Sequence, residues 1–143
     1  MSDGNRVFFD TNILVYAYDR SELQKSKIAA HLIQEAWAQH HAVTSFQVLQ
    51  EFLVTVIWKI ETPLPLEEVE KILKNFCTLE PVVTNHEIVF DACRLQARYK
   101  WHYWDAAIVA QALSSNCTTL YSEDFQDGFK IDGLTMKNPF AVG

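Results

Sequence analysis

Short apolar bursts ending in polar residues alternate along this chain with longer stretches of helical period. That alternation is the tightest constraint on its fold. Arg6-Val-Phe-Phe-Asp10 is such a burst and reads as a buried strand with Asp10 at its C-terminal end. A short helical turn follows from Ile13 to Tyr18. Ser21 is placed to cap a helix reaching Gln39, with Ile28, Ala29, Leu32, Ile33, Ala36 and Trp37 on one face. Ala42-Val43-Thr44 reads as a second strand. Val48, Leu49, Phe52, Leu53, Val56, Ile57 and Ile60 then recur at steps of three and four, the clearest helical pattern in the sequence. Pro63 and Pro65 break the chain, and Leu66, Val69, Ile72, Leu73 and Phe76 predict a further amphipathic helix. Leu79 to Val83 reads as a strand that Pro81 confines to a sheet edge. Ile88, Ala92, Leu95 and Tyr99 mark another helix, and Trp104 to Ser115 is apolar nearly all round, as a buried helix is. Thr118 to Tyr121 is a strand, and the tail from Phe129 to Phe140 holds a short last one. Strands alternating with helices predict an α/β fold with a parallel sheet. With 143 residues, no repeat and no internal linker, the expectation is one domain over residues 1–143.

In a parallel sheet, ligands bind beyond the carboxyl ends of the strands, where the crossover helices also begin. Four carboxylates from four separate segments are expected at that edge. Asp10 follows the first strand, Glu51 lies in the second turn of the helix after strand two, Asp105 opens the buried helix, and Asp124 follows the fourth strand. Each also has an ordinary reading. Asp10 and Asp105 could cap helices, Glu51 could share a solvated face with Gln47 and Thr55, and Asp124 could be a loop acid. Taken together, clustered carboxylates without cations repel and protonate. No Lys or Arg lies within three residues of Asp10, Glu51 or Asp124. A divalent cation is the natural compensating charge, and all-oxygen ligands favour Mg²⁺ or Mn²⁺ over zinc. At a phosphodiester such an ion activates a water and stabilises charge on the phosphate.

The formal net charge of -6 excludes binding of nucleic acid by bulk charge. A phosphate must be met through the metal, with Lys25, Lys27, Arg94, Arg98 and Lys100 as candidate rim residues. Cys77, Cys93 and Cys117 lack disulfide or metal spacing and are expected as buried thiols. The five histidines show no ligand spacing. Tyr99-Lys-Trp-His-Tyr-Trp104 could stack bases or pack into a core or a dimer face. Apolar and aromatic residues between Gln47 and Cys77, Trp58 among them, suggest a self-association face. The opening residues hold no apolar leader and no run is long enough to span a membrane, so a cytoplasmic protein without a membrane partner is expected.

Asp10-Thr-Asn12 after an apolar strand, Glu51 in a helix, Trp104-Asp-Ala-Ala-Ile-Val-Ala110, Ser122-Glu-Asp-Phe125 and the closing Asn138-Pro-Phe140 come in the order and spacing of PIN domains. The set most resembles the VapC-type toxins of bacterial toxin–antitoxin pairs, over nearly the whole chain. The resemblance implies a three-layer α/β sandwich with a central, mainly parallel sheet of four or five strands. It implies an endoribonuclease dependent on Mg²⁺ or Mn²⁺, a homodimer, and inhibition by a cognate antitoxin. Asp10, Glu51, Asp105 and Asp124 take the family's acidic positions, as catalytic and metal-binding residues. Thr11 and Asn12 take its supporting positions. The fourth acid lies among Glu123, Asp124 and Asp127, with Asp124 preferred because Phe125 can anchor its turn. Two other readings remain: a phosphatase-like enzyme with Asp10 as nucleophile, for which position 12 carries Asn12 in place of an acid, and a non-catalytic interaction module of the same fold.

Overall fold

The computed structural model describes residues 5–141, so both ends of the expected 1–143 span, residues 1–4 and 142–143, lie outside the described residues. The elements run β1 (Val7–Phe9), α1 (Thr11–Tyr18), α2 (Leu23–Ala38), β2 (Ala42–Val43), α3 (Phe46–Trp58), α4 (Leu66–Cys77), α5 (His86–Tyr99), α6 (Tyr103–Ser114), β3 (Thr119–Tyr121), β4 (Lys130–Ile131) and β5 (Leu134–Lys137). They form a five-stranded sheet in the order β2-β1-β3-β5-β4, parallel except for the β4–β5 hairpin. Phe8 and Phe9 point to opposite faces of β1, yet both are buried. Helices therefore cover both faces of the sheet, giving the expected α/β sandwich.

The strands are short but tied in register, Phe8 beside Val43 on one side and Leu120 on the other. Their carboxyl ends define the edge that matters. Asp10 leaves β1 there, with its backbone N–H donating to the Tyr121 carbonyl at 3.0 Å. Its carboxylate caps α1, accepting from the Thr11 N–H at 2.7 Å, and Ser45 caps α3 through the Val48 N–H at 3.2 Å. Helix α6 runs back toward the start of β3, so its N-terminus returns to the same edge. Ala92 of α5 meets Ala106, Ala107 and Ala110 of α6, small side chains that let these two helices approach closely.

Several expected elements differ in detail. Helix α1 starts at Thr11, two residues before Ile13, because Asp10 caps it. Ser21 caps nothing: its N–H and hydroxyl both bond to Asp19 Oδ1, and α2 begins after Glu22 without a side-chain cap. Helix α3 covers Phe46–Trp58, starting and ending two residues early, since Ser45 supplies its cap. The strand expected over Leu79–Val83 is reduced to one parallel bridge between Val82 and Ser45. Pro81 has no N–H to give a ladder, and Glu80 sits in the left-handed region at φ 56°. The tail forms a hairpin in place of a single strand, its Asp132-Gly133 turn held at positive φ in both residues. Of the three thiols only Cys117 is buried; Cys77 and Cys93 lie on outward faces of α4 and α5.

Phe52 is fully buried and joins three helices, packing edge-on against Tyr18 of α1 at 5.7 Å and against Phe76 of α4 at 6.3 Å. Phe52→Ala is expected to cost about 3–5 kcal/mol in urea unfolding, as large-to-small core changes do. Exposed Val83→Ala, between α4 and α5, should stay within about 0.5 kcal/mol of the parent.

Candidate active site

A cleft of about 390 Å³ opens at the carboxyl edge of the sheet. Asp10, Glu51, Asp105 and Asp124 all line it, together with Thr11, Asn12, Asp19 and Trp104. The four acids come from the end of β1, from α3, from the first turn of α6 and from the loop after β3. No Lys or Arg lines this cleft among the described residues.

Asp10 is 4% exposed, and both of its carboxylate oxygens are engaged. Oδ1 accepts from the Thr11 N–H and Oδ2 from the Ser122 hydroxyl, each at 2.7 Å. Thr11 turns its own hydroxyl to Glu51 Oε1 at 2.6 Å. Gln111, buried in α6, donates to Gln47 Oε1 at 2.7 Å, and Gln47 in turn donates to Glu51 Oε2 at 3.4 Å. The Asn12 side-chain amide donates to Asp124 Oδ2 at 3.1 Å and accepts from the Glu123 N–H at 3.3 Å. The Ser122 hydroxyl also accepts from the Asp124 N–H at 3.0 Å. The loop after β3 is thus fastened to the loop after β1 by side chains from both.

Asp105 sits third in α6, which begins at Tyr103, one residue before the expected Trp104. Its carboxylate caps nothing: the cap position is His102, which makes no side-chain bond to the helix. Asp10 does both jobs weighed for it, capping α1 and lining the cleft. The three acids offered for the fourth position have separate surroundings. Glu123 pairs with Lys25 Nζ at 2.7 Å and accepts from the Tyr16 hydroxyl at 2.7 Å. Asp127 accepts from the Asn138 N–H at 2.9 Å. Asp124 faces the other cleft acids. Lys25 is therefore engaged with Glu123, Arg94 with Asp91 at 2.6 Å, and none of the five candidate rim cations lines the cleft.

The electrostatics follow from this crowding. Burial pushes the Asp10 carboxyl up from 3.8 to about 7, against the pull of Ser122 and Thr11 and with help from the charges of Asp124 and Glu51. Asp124 is raised by burial and then by the charge of Asp105. Asp105 is raised by burial and by Glu51, while His102 opposes the shift. Glu123 goes the other way: burial raises it, but Lys25 and Tyr16 together carry it below the ordinary value.

Among the described residues no three His, Cys, Asp or Glu side chains form a ready-made metal-ligand group. The donor chemistry nevertheless fits Mg²⁺ or Mn²⁺. Every charged group of the cleft is a carboxylate, three of them are raised by burial and further by neighbouring acids, and Mg²⁺ takes one or two carboxylates while keeping several waters. Residues that hold the acids, above all Ser122, Gln47 and Gln111, carry no role in the sequence reading. Ser122 has a signal, since it stands directly after a strand in the same quartet as Asp124. Gln47 stands four residues before Glu51 on the same helix face, whereas Gln111 has no signal, because its pairing with Gln47 joins positions 64 apart.

The PIN domain family matches residues 7–130. A solved structure described as a toxin–antitoxin complex from Klebsiella pneumoniae aligns with a TM-score of 0.65 at 21% identity, covering 95% of this chain and 99% of that one. At that identity the likeness establishes the fold. No curated protein matches the chain.

The raised carboxyl at position 10 sets a pH dependence. Unfolded, it titrates near 3.8; folded, at about 7. Between those values the native state keeps a proton that the unfolded state has lost, so stability falls as pH rises through the window. Asp10→Asn is expected to remove that fall. It should stabilise the protein by a few kcal/mol at pH 8 and little at pH 4. Urea midpoints at the two pH values would show it, and an equal gain at both would contradict the electrostatic account.

Proposed function

The chain belongs to the PIN domain family, and on that premise we propose that it is a metal-dependent endoribonuclease, the toxin of a bacterial toxin–antitoxin pair. The observation that carries the reading is the meeting of Asp10, Glu51, Asp105 and Asp124, from four separate segments, in one cleft that Asp19 also lines and that no Lys or Arg lines among the described residues. PIN domains are in general nucleases, which supports the reaction class. The toxin role is supported by the fold shared with the chain from a toxin–antitoxin complex.

In this reading Asp10, Glu51, Asp105 and Asp124 hold one or two Mg²⁺ or Mn²⁺ ions. The ion, when bound, supplies an activated water and stabilises the charge that develops on the phosphate and the leaving oxygen. The chain's own residues do the rest. Ser122 and the Thr11 N–H fix both oxygens of Asp10. Thr11 and Gln47 hold Glu51, and Asn12 holds Asp124. Glu123 works outside the cleft, tying the β3 loop to α2 through Lys25. Acids held in this way need little rearrangement when a phosphodiester enters.

A homodimer is part of the same proposal. It is supported by the exposed apolar side chains of α3 and α4, with Trp58 78%, Leu66 66%, Val54 46% and Phe46 43% exposed. No helix among the described residues is long and apolar enough to cross a membrane, which suits a chain acting on cytoplasmic RNA. A basic side chain from the antitoxin, placed among the cleft carboxylates, would occupy the space that metal and phosphate need.

Two measurements test the proposal. Millimolar Mn²⁺ should raise the melting temperature of the parent and raise it much less in Asp10→Asn. Single-turnover cleavage of RNA should require the divalent ion and should fall by at least about a hundredfold in Asp10→Asn and in Asp105→Asn. In Glu123→Gln it should fall far less. Undiminished cleavage by Asp10→Asn would sink the mechanism.

A further inference from the structure

The aromatic stretch from Tyr99 to Trp104 divides in the structure. Tyr99 stacks on Trp101 at 4.7 Å, and Trp101 packs edge-on against Phe125 at 5.3 Å and Phe129 at 5.8 Å. Those rings are spent on holding the end of α5 to the segment between β3 and β4. Trp104 is different. It is 56% exposed, has one aromatic neighbour in Tyr103, edge-on at 5.1 Å, and lines the acid cleft one residue from Asp105. An exposed indole is costly to leave in water and is not needed for the core. It stands on the lining of the cleft, beside the acids.

The cleft itself gives the reason for such a group. Its charged side chains are all acidic, and the chain carries a net charge of -6. A polyanion is repelled there until cations neutralise the acids, so contacts that do not depend on charge must hold it. A nucleobase face on an indole is such a contact, and it requires a base that is not already paired and stacked.

We propose that Trp104 is a stacking platform for one unpaired base of single-stranded RNA, positioning the nucleotide beside the phosphodiester that faces Asp10 and Asp105. The inference rests on the ribonuclease reading and adds the residue that grips the substrate. Trp104 stands in the first turn of α6, directly before Asp105, so a base held on the indole lies beside the acids and adds to affinity. Sequence preference at that nucleotide is weak, since every base has a face to stack.

The test uses the full chain, Trp104→Ala and Trp104→Phe, with a fluorescein-labelled single-stranded RNA. Anisotropy is read in Ca²⁺, which neutralises the acids without the cleavage-supporting ion, and single-turnover cleavage is read in Mn²⁺ over a range of enzyme concentrations. Trp104→Ala should weaken binding and raise the half-saturating concentration roughly ten- to hundredfold, with the rate at saturation within about twofold of the parent. Trp104→Phe should recover most of the affinity. An abasic site introduced beside the cut should weaken binding by the parent and leave Trp104→Ala unaffected, since the stacking partner is already gone. The same RNA annealed into a duplex should bind the parent more weakly and be insensitive to the substitution.

Unchanged affinity in Trp104→Ala overturns the inference, as does a loss confined to the saturating rate. Unchanged RNA affinity with lost self-association in sedimentation overturns it in favour of a protein contact. A parent that binds single-stranded RNA with this Trp104 dependence but cuts none leaves the platform standing and removes the ribonuclease. A parent that binds no single-stranded RNA in either condition removes the platform. Cleavage by the parent with no dependence on Trp104 removes the platform alone.

Discussion

A single buried carboxylate governs the working edge of this molecule. Asp10 ends the central strand, caps the first helix and accepts the Ser122 hydroxyl, all while 4% exposed and surrounded by other acids. Burying a charge costs free energy unless partners satisfy it. Here two hydrogen bonds do so only in part, and the carboxyl stays pushed up to about 7. A site organised in this way is poised for a cation, because an ion replaces a proton where the fold has already fixed the geometry.

The remaining side chains can be followed outward from that carboxylate. Gln111, Gln47, Glu51, Thr11, Asp10, Ser122, Asp124 and Asn12 form one hydrogen-bonded path through α6, α3, α1 and the loop after β3. Loops gain precision when their side chains are held by rigid elements. The β3 loop is so held from both flanks, by Asn12 at the cleft and by the Lys25–Glu123 pair away from it. Opposite charges are thereby sorted in space. Glu123 takes the lysine and leaves the cleft acids without one. Raised carboxyls are thereby gathered in the cleft, and the lowered one lies outside it.

Much of this was legible in the residues. Strand-ending Asp10, the three-and-four rhythm of α3 and the nearly all-apolar α6 each declare themselves over a short window, because periodicity is a local property of the chain. The same holds for the gathering of Asp10, Glu51, Asp105 and Asp124, which follows once a parallel sheet is accepted. Element ends were less legible. Whether Ser21 or Ser45 caps a helix depends on the path of the backbone around it: Ser45 leaves β2 directly into α3, whereas Ser21 is already committed to Asp19. The Leu79–Val83 segment has strand-like composition, but Pro81 and the left-handed Glu80 leave it a single bridge.

The sequence by itself determined the alternation of elements, the sheet edge where acids collect, and the supply of carboxylates far from any Lys or Arg. These are matters of order and period. Tertiary structure alone decided which acid of the Glu123, Asp124 and Asp127 trio faces the cleft, that Lys25 closes on Glu123, and that Trp104 stands free while Trp101 packs among neighbouring rings. It also decided that Gln111 reaches Gln47 from 64 residues away. Such outcomes rest on which side chains two distant segments present to each other when they pack. That depends on the angle and depth of the contact, which no short window of residues encodes.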